Sequence, residues 1–120
     1  MTARLIVLAC GVALLLAATG RVTAAPCIEP PTGGSAAPLF SPPVSSVVIG
    51  TGRLQFYSAP SRQCALKGVF VIPHDQVVTY AETTDGWSSV VYVNPHTGND
   101  VSGWVRSERL KATGTLGPKQ

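Results

Sequence analysis

The chain has 120 residues, of which the first 24 read as an export signal and the next 22 as a Pro-rich arm, leaving about 74 for one small domain. That is too short for a doubly wound nucleotide-binding sheet or a barrel of eight strand-helix units, which need upwards of roughly 120 to 250 residues. The formal charge of +3 falls to +1 once Arg4 and Arg21 of the signal are set aside, with seven Lys or Arg against six Asp or Glu from residue 25 onward. No field suited to nucleic acid or an anionic membrane follows.

Arg4 precedes an uncharged apolar run of 14 residues, Leu5 to Ala18, and Val22-Thr23-Ala24 puts small residues where a signal peptidase reads. A helix over that run rises only about 21 Å, short of the roughly 30 Å hydrocarbon core, so a signal peptide is expected over residues 1–24, with no membrane span after cleavage. A lipid anchor would need a cysteine directly after a small residue, whereas Cys27 follows Pro26. The expected location is therefore periplasmic or secreted. Cleavage removes Cys10 and leaves Cys27 and Cys64 in an oxidising compartment, where an even pair predicts a disulfide. The competing reading, Cys64 as a nucleophile beside His74, would need an electropositive pocket or a helix N-terminus, and no helix is evident in the pattern.

Residues 25–46 hold six prolines, Gly33-Gly34, four serines and a single charge, Glu29. This composition predicts an extended, polyproline-like linker with a flexible joint at the two glycines, unable to hold a helix or a central strand.

From Val47 the texture changes to short β-branched and aromatic runs cut by turn signals, the mark of a small all-β domain over residues 47–115. Val47 to Ile49 and Arg53 to Ser58 are the first expected strands, with Leu54 and Phe56 facing a core and Gln55 and Tyr57 facing solvent. Gly68 to Ile72 follows, closed by the turn Pro73-His74-Asp75, and then Gln76 to Thr83. Asp85-Gly86 sits between two strand-like runs, among the strongest local signals for a hairpin, with Trp87 to Asn94 as its second arm. A second breaker-rich turn over 95–100 returns the chain as Val101 to Arg106. Ser107 to Leu110 is too short for an α-helix and predicts one 3₁₀ turn before a last strand at Lys111 to Thr115, with a loose tail over 116–120.

Three stretches carry a family resemblance. Leu54-Gln55-Phe56-Tyr57-Ser58-Ala59-Pro60-Ser61 resembles the opening motif of bacterial Src-homology-3-like domains, Gly86-Trp87-Ser88-Ser89-Val90 their central Gly-Trp-x-x-Val segment, and Gly103-Trp104-Val105 their closing Gly-Trp-Val motif, in family order. The resemblance spans roughly residues 47–115. It implies a small, bent barrel of five or six antiparallel strands with a 3₁₀ turn before the last, and a binding role: contact with cell-wall peptide or with an envelope or secreted protein. Trp87 matches the tryptophan of the family's ligand groove, whereas Arg106 and Arg109 stand where a groove proline and tyrosine would be. Two cations in place of two stacking surfaces argue against proline recognition and for a carboxylate-bearing partner, bound by Tyr57, Trp87, Arg106 and Arg109.

Trp87 and Val90, three positions apart, face opposite sides of one strand, so with Val90 in the core Trp87 is expected outside, either for binding or packed against the arm. Trp104 is assigned to structure. His74 and His96 fall in turns, and the aspartates in separate turns where they bond local backbone. The sequence offers neither metal-ligand spacing nor a nucleophile-base set, so no cofactor, metal or catalytic residue is expected. The chain reads as a non-enzymatic binding module. The alternative is a small inhibitor or immunity protein that blocks a cell-wall hydrolase.

Overall fold

The computed structural model describes residues 26–116; the signal expected over 1–24 and most of the expected tail, 117–120, lie outside them. Seven strands build one antiparallel sheet: β1 (Leu39–Val48), β2 (Leu54–Tyr57), β3 (Ala65–Val71), β4 (Gln76–Glu82), β5 (Trp87–Val93), β6 (Asp100–Arg106) and β7 (Leu110–Thr115). Two 3₁₀ turns, Arg62–Cys64 and Ser107–Arg109, interrupt them. No helix among the described residues is long and apolar enough to cross a membrane.

The strand order is β3-β2-β6-β5-β4-β1-β7. Laid flat, six intervals between neighbours would hold β3 and β7 about 29 Å apart. Instead, Val71 of β3, Val48 of β1 and Leu110 of β7 join one cluster with Leu54, Phe56, Val77, Val90 and Val105. Side chains from both ends of the order meet only if the sheet curls strongly, and the shared core sits on its concave side. Buried hydroxyls on this side satisfy one another, Ser46 with Thr79 at 3.2 Å and the Ser88 hydroxyl with the half-buried Ser107 at 2.7 Å.

Alternation along β2 runs as the pattern predicts, with Leu54 and Phe56 buried. The Asp85-Gly86 hairpin is present. The Thr83 N–H donates to the Trp87 carbonyl at 2.8 Å, the Trp87 N–H donates back to the Thr83 hydroxyl at 3.1 Å, and Gly86 takes φ +89°. At the Pro73 turn the Asp75 carboxylate accepts from the Ile72 N–H at 3.0 Å, the local bonding expected of an aspartate there.

Two expectations for the N-terminal arm fail. First, β1 starts at Leu39 rather than Val47 and lies between β4 and β7, an interior position despite Pro42 and Pro43. The prolines are tolerated because the β1–β4 register breaks between Leu39 and Val44, so neither has to supply a ladder N–H. The strand count is seven, as many as the runs read from the sequence and more than the five or six that the resemblance implies.

Second, residues 26–38 are not a free linker. Cys27 is bonded to Cys64 with Cα atoms 5.6 Å apart, as the cysteine count predicts. From there the arm turns back on itself, the Gly33 N–H donating to the Ala37 carbonyl at 2.9 Å, and it delivers Ala37, fully buried, onto the convex face of the sheet. There Ala37 meets Ala81, Trp87 and Trp104 in a second buried cluster, with Tyr57 against it.

Candidate functional site

Cross-strand register brings the candidate aromatics together. Tyr57 is paired with Trp104, Trp104 with Ser89 and Ser89 with Ala81, so these four form one row across β2, β6, β5 and β4. Trp87 pairs with Arg106 two positions along the same face. Residues so aligned are in side-chain reach of one another. The Tyr57 and Trp87 rings stand edge to face with centroids 4.8 Å apart and planes at 81°. The Arg106 guanidinium lies over the Trp87 ring, 4.7 Å from its centroid. Such a cation on an indole face is worth about 0.5–2 kcal/mol depending on its exposure.

Arg106 keeps most of its donors in reserve. Its one acceptor among the described residues is the Asp85 carbonyl, at a long 3.4 Å, while the side chain is half-buried at the rim of the aromatic cluster. Gly86 permits this placement, since a Cβ there would stand 3.3 Å from the Arg106 terminal nitrogen.

The structure corrects the expected exposure of Trp87, which is only 3% exposed. The parity argument holds, because Trp87 and Val90 do belong to clusters on opposite faces. The face opposite the core is not open water, however: Ala37 of the arm, Tyr57 and Trp104 enclose the indole. What reaches the exterior is the half-buried Tyr57 and Arg106, backed by Trp87.

Arg109 is not brought to this cluster. Its Nε donates to the Ile49 carbonyl at 2.6 Å and its terminal nitrogen to the Gly52 carbonyl at 2.8 Å, so its fork closes the loop between β1 and β2. Gly50, at φ +87°, passes so close beneath the guanidinium that a Cβ there would lie 2.6 Å from Nε. His74 and His96 are exposed in their turns.

One partner of the cluster is missing from the sequence reading. The Trp104 indole Nε1 donates to Glu29 Oε1 at 3.0 Å, linking β6 to the arm across 75 positions. The available signal was that Glu29 is the single charge in an otherwise neutral, Pro-rich stretch. Comparison of the chain with protein-family models, with curated proteins and with solved structures finds no match.

Proposed function

We propose that this chain is an exported, non-enzymatic binding module of the bacterial Src-homology-3-like type, and that the Arg106–Trp87–Tyr57 rim takes a carboxylate-bearing partner, of which cell-wall peptide is the chemical class it suits best. The observation that carries the reading is the Arg106 guanidinium, stacked on Trp87 with one long acceptor. A guanidinium oriented by a ring and left with free N–H groups is prepared to grip a carboxylate in a forked pair, and free carboxylates are abundant on wall peptides. The barrel assignment is supported by the curl that joins β3 and β7 in one core and by the 3₁₀ turn Ser107–Arg109 just before β7. Export is supported by the apolar run over residues 5–18 and by the Cys27–Cys64 bond, which suits an oxidising compartment.

The test is co-sedimentation of the mature, oxidised protein with purified insoluble sacculi. Binding that falls at least about tenfold on Arg106→Ala, a loss of one charge-assisted pair, is the expected result. Sedimentation indifferent to Arg106→Ala removes the rim as the site. A one-to-one complex with a purified wall hydrolase that silences it, without sedimentation, would instead favour the inhibitor reading.

A further inference from the structure

The arm over the convex face docks as a ligand does. Outside the strand ladders and among the described residues, the backbone hydrogen bonds of residues 26–38 are internal to the arm, namely Ile28 to Pro26, Gly33 to Ala37, Gly34 to Pro31 and Ala37 to Gly34. It holds the sheet through three anchors: the Cys27–Cys64 bond, the Glu29 carboxylate on the Trp104 indole, and the Ala37 methyl among Ala81, Trp87 and Trp104. Between these anchors the fit is loose. Ile28 is 72% exposed, and an open groove remains where Pro30 and Pro31 face Pro60 and the Thr83–Asp85 turn. A segment of core would be filled to interior density along its length, whereas a recognised peptide contacts through a few side chains and leaves the rest to solvent.

We infer that the Trp104–Trp87–Ala81 face is a peptide-binding site whose resident occupant is the chain's own arm, and that the site takes in trans a short peptide of the same chemistry, a glutamate followed by prolines and, about eight residues on, a small apolar side chain. The glutamate accepts from the indole N–H, which has no other acceptor among the described residues. The small residue joins the buried cluster of Ala81, Trp87 and Trp104, where Ala37 is completely buried and a larger side chain would overpack. The two prolines restrict the backbone directly after the glutamate, and the turns over residues 32–37 then bring the small residue back to the face. The arm is tethered at both ends, by Cys27 to Cys64 and by Leu39 to the β4 residue Ala81, so it competes at an effective concentration in the millimolar range or higher. A dithiol opens the first tether. It supplies two electrons and two protons, yields the Cys27 and Cys64 thiols, and leaves as its own disulfide.

The inference concerns the covered part of the face and stands apart from the carboxylate partner proposed for the Arg106 rim, so loss of sacculus binding leaves it intact. The test uses the mature full-length chain and a labelled synthetic peptide of residues 26–38 with Ser in place of Cys27. An opened form, Cys27→Ser/Cys64→Ser/Ala37→Asp, removes the latch and ejects the buried methyl. The opened form is expected to bind the peptide saturably and at least roughly tenfold more tightly than the oxidised wild type, and to show greater acrylamide quenching of its tryptophans. Substituting Gln for the peptide's glutamate should weaken that binding. Equal binding by both forms, or none by either, overturns the inference. So does an opened form that has lost its β-sheet circular dichroism, because the arm would then be an integral layer of the fold. With the latch intact, Glu29→Ala supplies a milder check, because it removes the acceptor of the indole N–H: unchanged tryptophan quenching would also count against the site.

Discussion

Glu29 and Trp104 meet through a 3.0 Å hydrogen bond that joins the most polar point of the arm to a fully buried indole. The bond sets where the arm lies, because the indole N–H is a donor only and needs an acceptor when buried. Removing the acceptor by Glu29→Ala should therefore lower stability by about 1 kcal/mol, the usual net worth of such a bond, with the Trp104→Phe change costing more because it also leaves a cavity where a fully buried indole stood. Combining the two should cost less than the sum, because they remove one interaction. Additive effects in urea unfolding would show that the pair is not coupled.

The covalent anchor should matter more than the hydrogen bond. Cys27 and Cys64 are 37 positions apart, and closing a loop of that size removes unfolded-state entropy worth about 4 kcal/mol. Cys27→Ser/Cys64→Ser should lower the urea midpoint by an amount corresponding to a loss of about 2–4 kcal/mol, toward the low end because Cys27 itself is exposed and the arm beyond it is loosely packed. An unchanged midpoint would mean that the bridge does not restrain the unfolded chain.

The two arginines once grouped as ligand contacts should separate cleanly. Arg109→Ala leaves the Ile49 and Gly52 carbonyls without their donor and should cost about 1–3 kcal/mol of stability, with faster proteolysis in the 49–53 loop, while sacculus binding is retained. Arg106→Ala should do the reverse, changing binding and costing about 1 kcal/mol of folding or less, as a half-buried cation at the rim of an indole does. Loss of binding in the Arg109 variant at full stability would return that residue to the site.

What the sequence made legible follows from which interactions are local. The Asp85-Gly86 hairpin, the Leu54–Phe56 alternation and the 3₁₀ turn near Ser107 each depend on a few neighbouring residues, and each is where the pattern puts it. The placement of Trp87 opposite Val90 was equally local and equally sound. Its exposure was not, because whether the second face meets water depends on Ala37, fifty positions away in a stretch whose prolines read as a linker. The same prolines hid the first half of β1, where a break in register removes the need for their missing N–H groups. Arg109 could not be sorted from Arg106 by motif position alone, because its partners are backbone carbonyls of a loop that the composition does not mark.

Gly103 offers the sharpest packing test of how the two clusters are joined. It lies between the concave core and the aromatic row, and a Cβ built on it would stand 2.9 Å from the Tyr57 carbonyl oxygen and 3.3 Å from the Phe56 ring. The first of these neighbours is backbone and cannot rotate away, so β2 and β6 would have to separate where Tyr57 pairs with Trp104. Gly103→Ala should then cost about 1–3 kcal/mol, the penalty for forcing a methyl into a filled space, against a much smaller effect for Gly114→Ala, where the added methyl meets nothing within 4 Å. Because the displaced strand carries Tyr57 and Trp104 together, the Gly103 variant should also lose near-ultraviolet circular dichroism from the aromatic cluster. A Gly103→Ala protein as stable as the Gly114→Ala protein would mean that β2 does not approach β6 this closely, and the row that unites Tyr57, Trp104 and Ser89 would have to be redrawn.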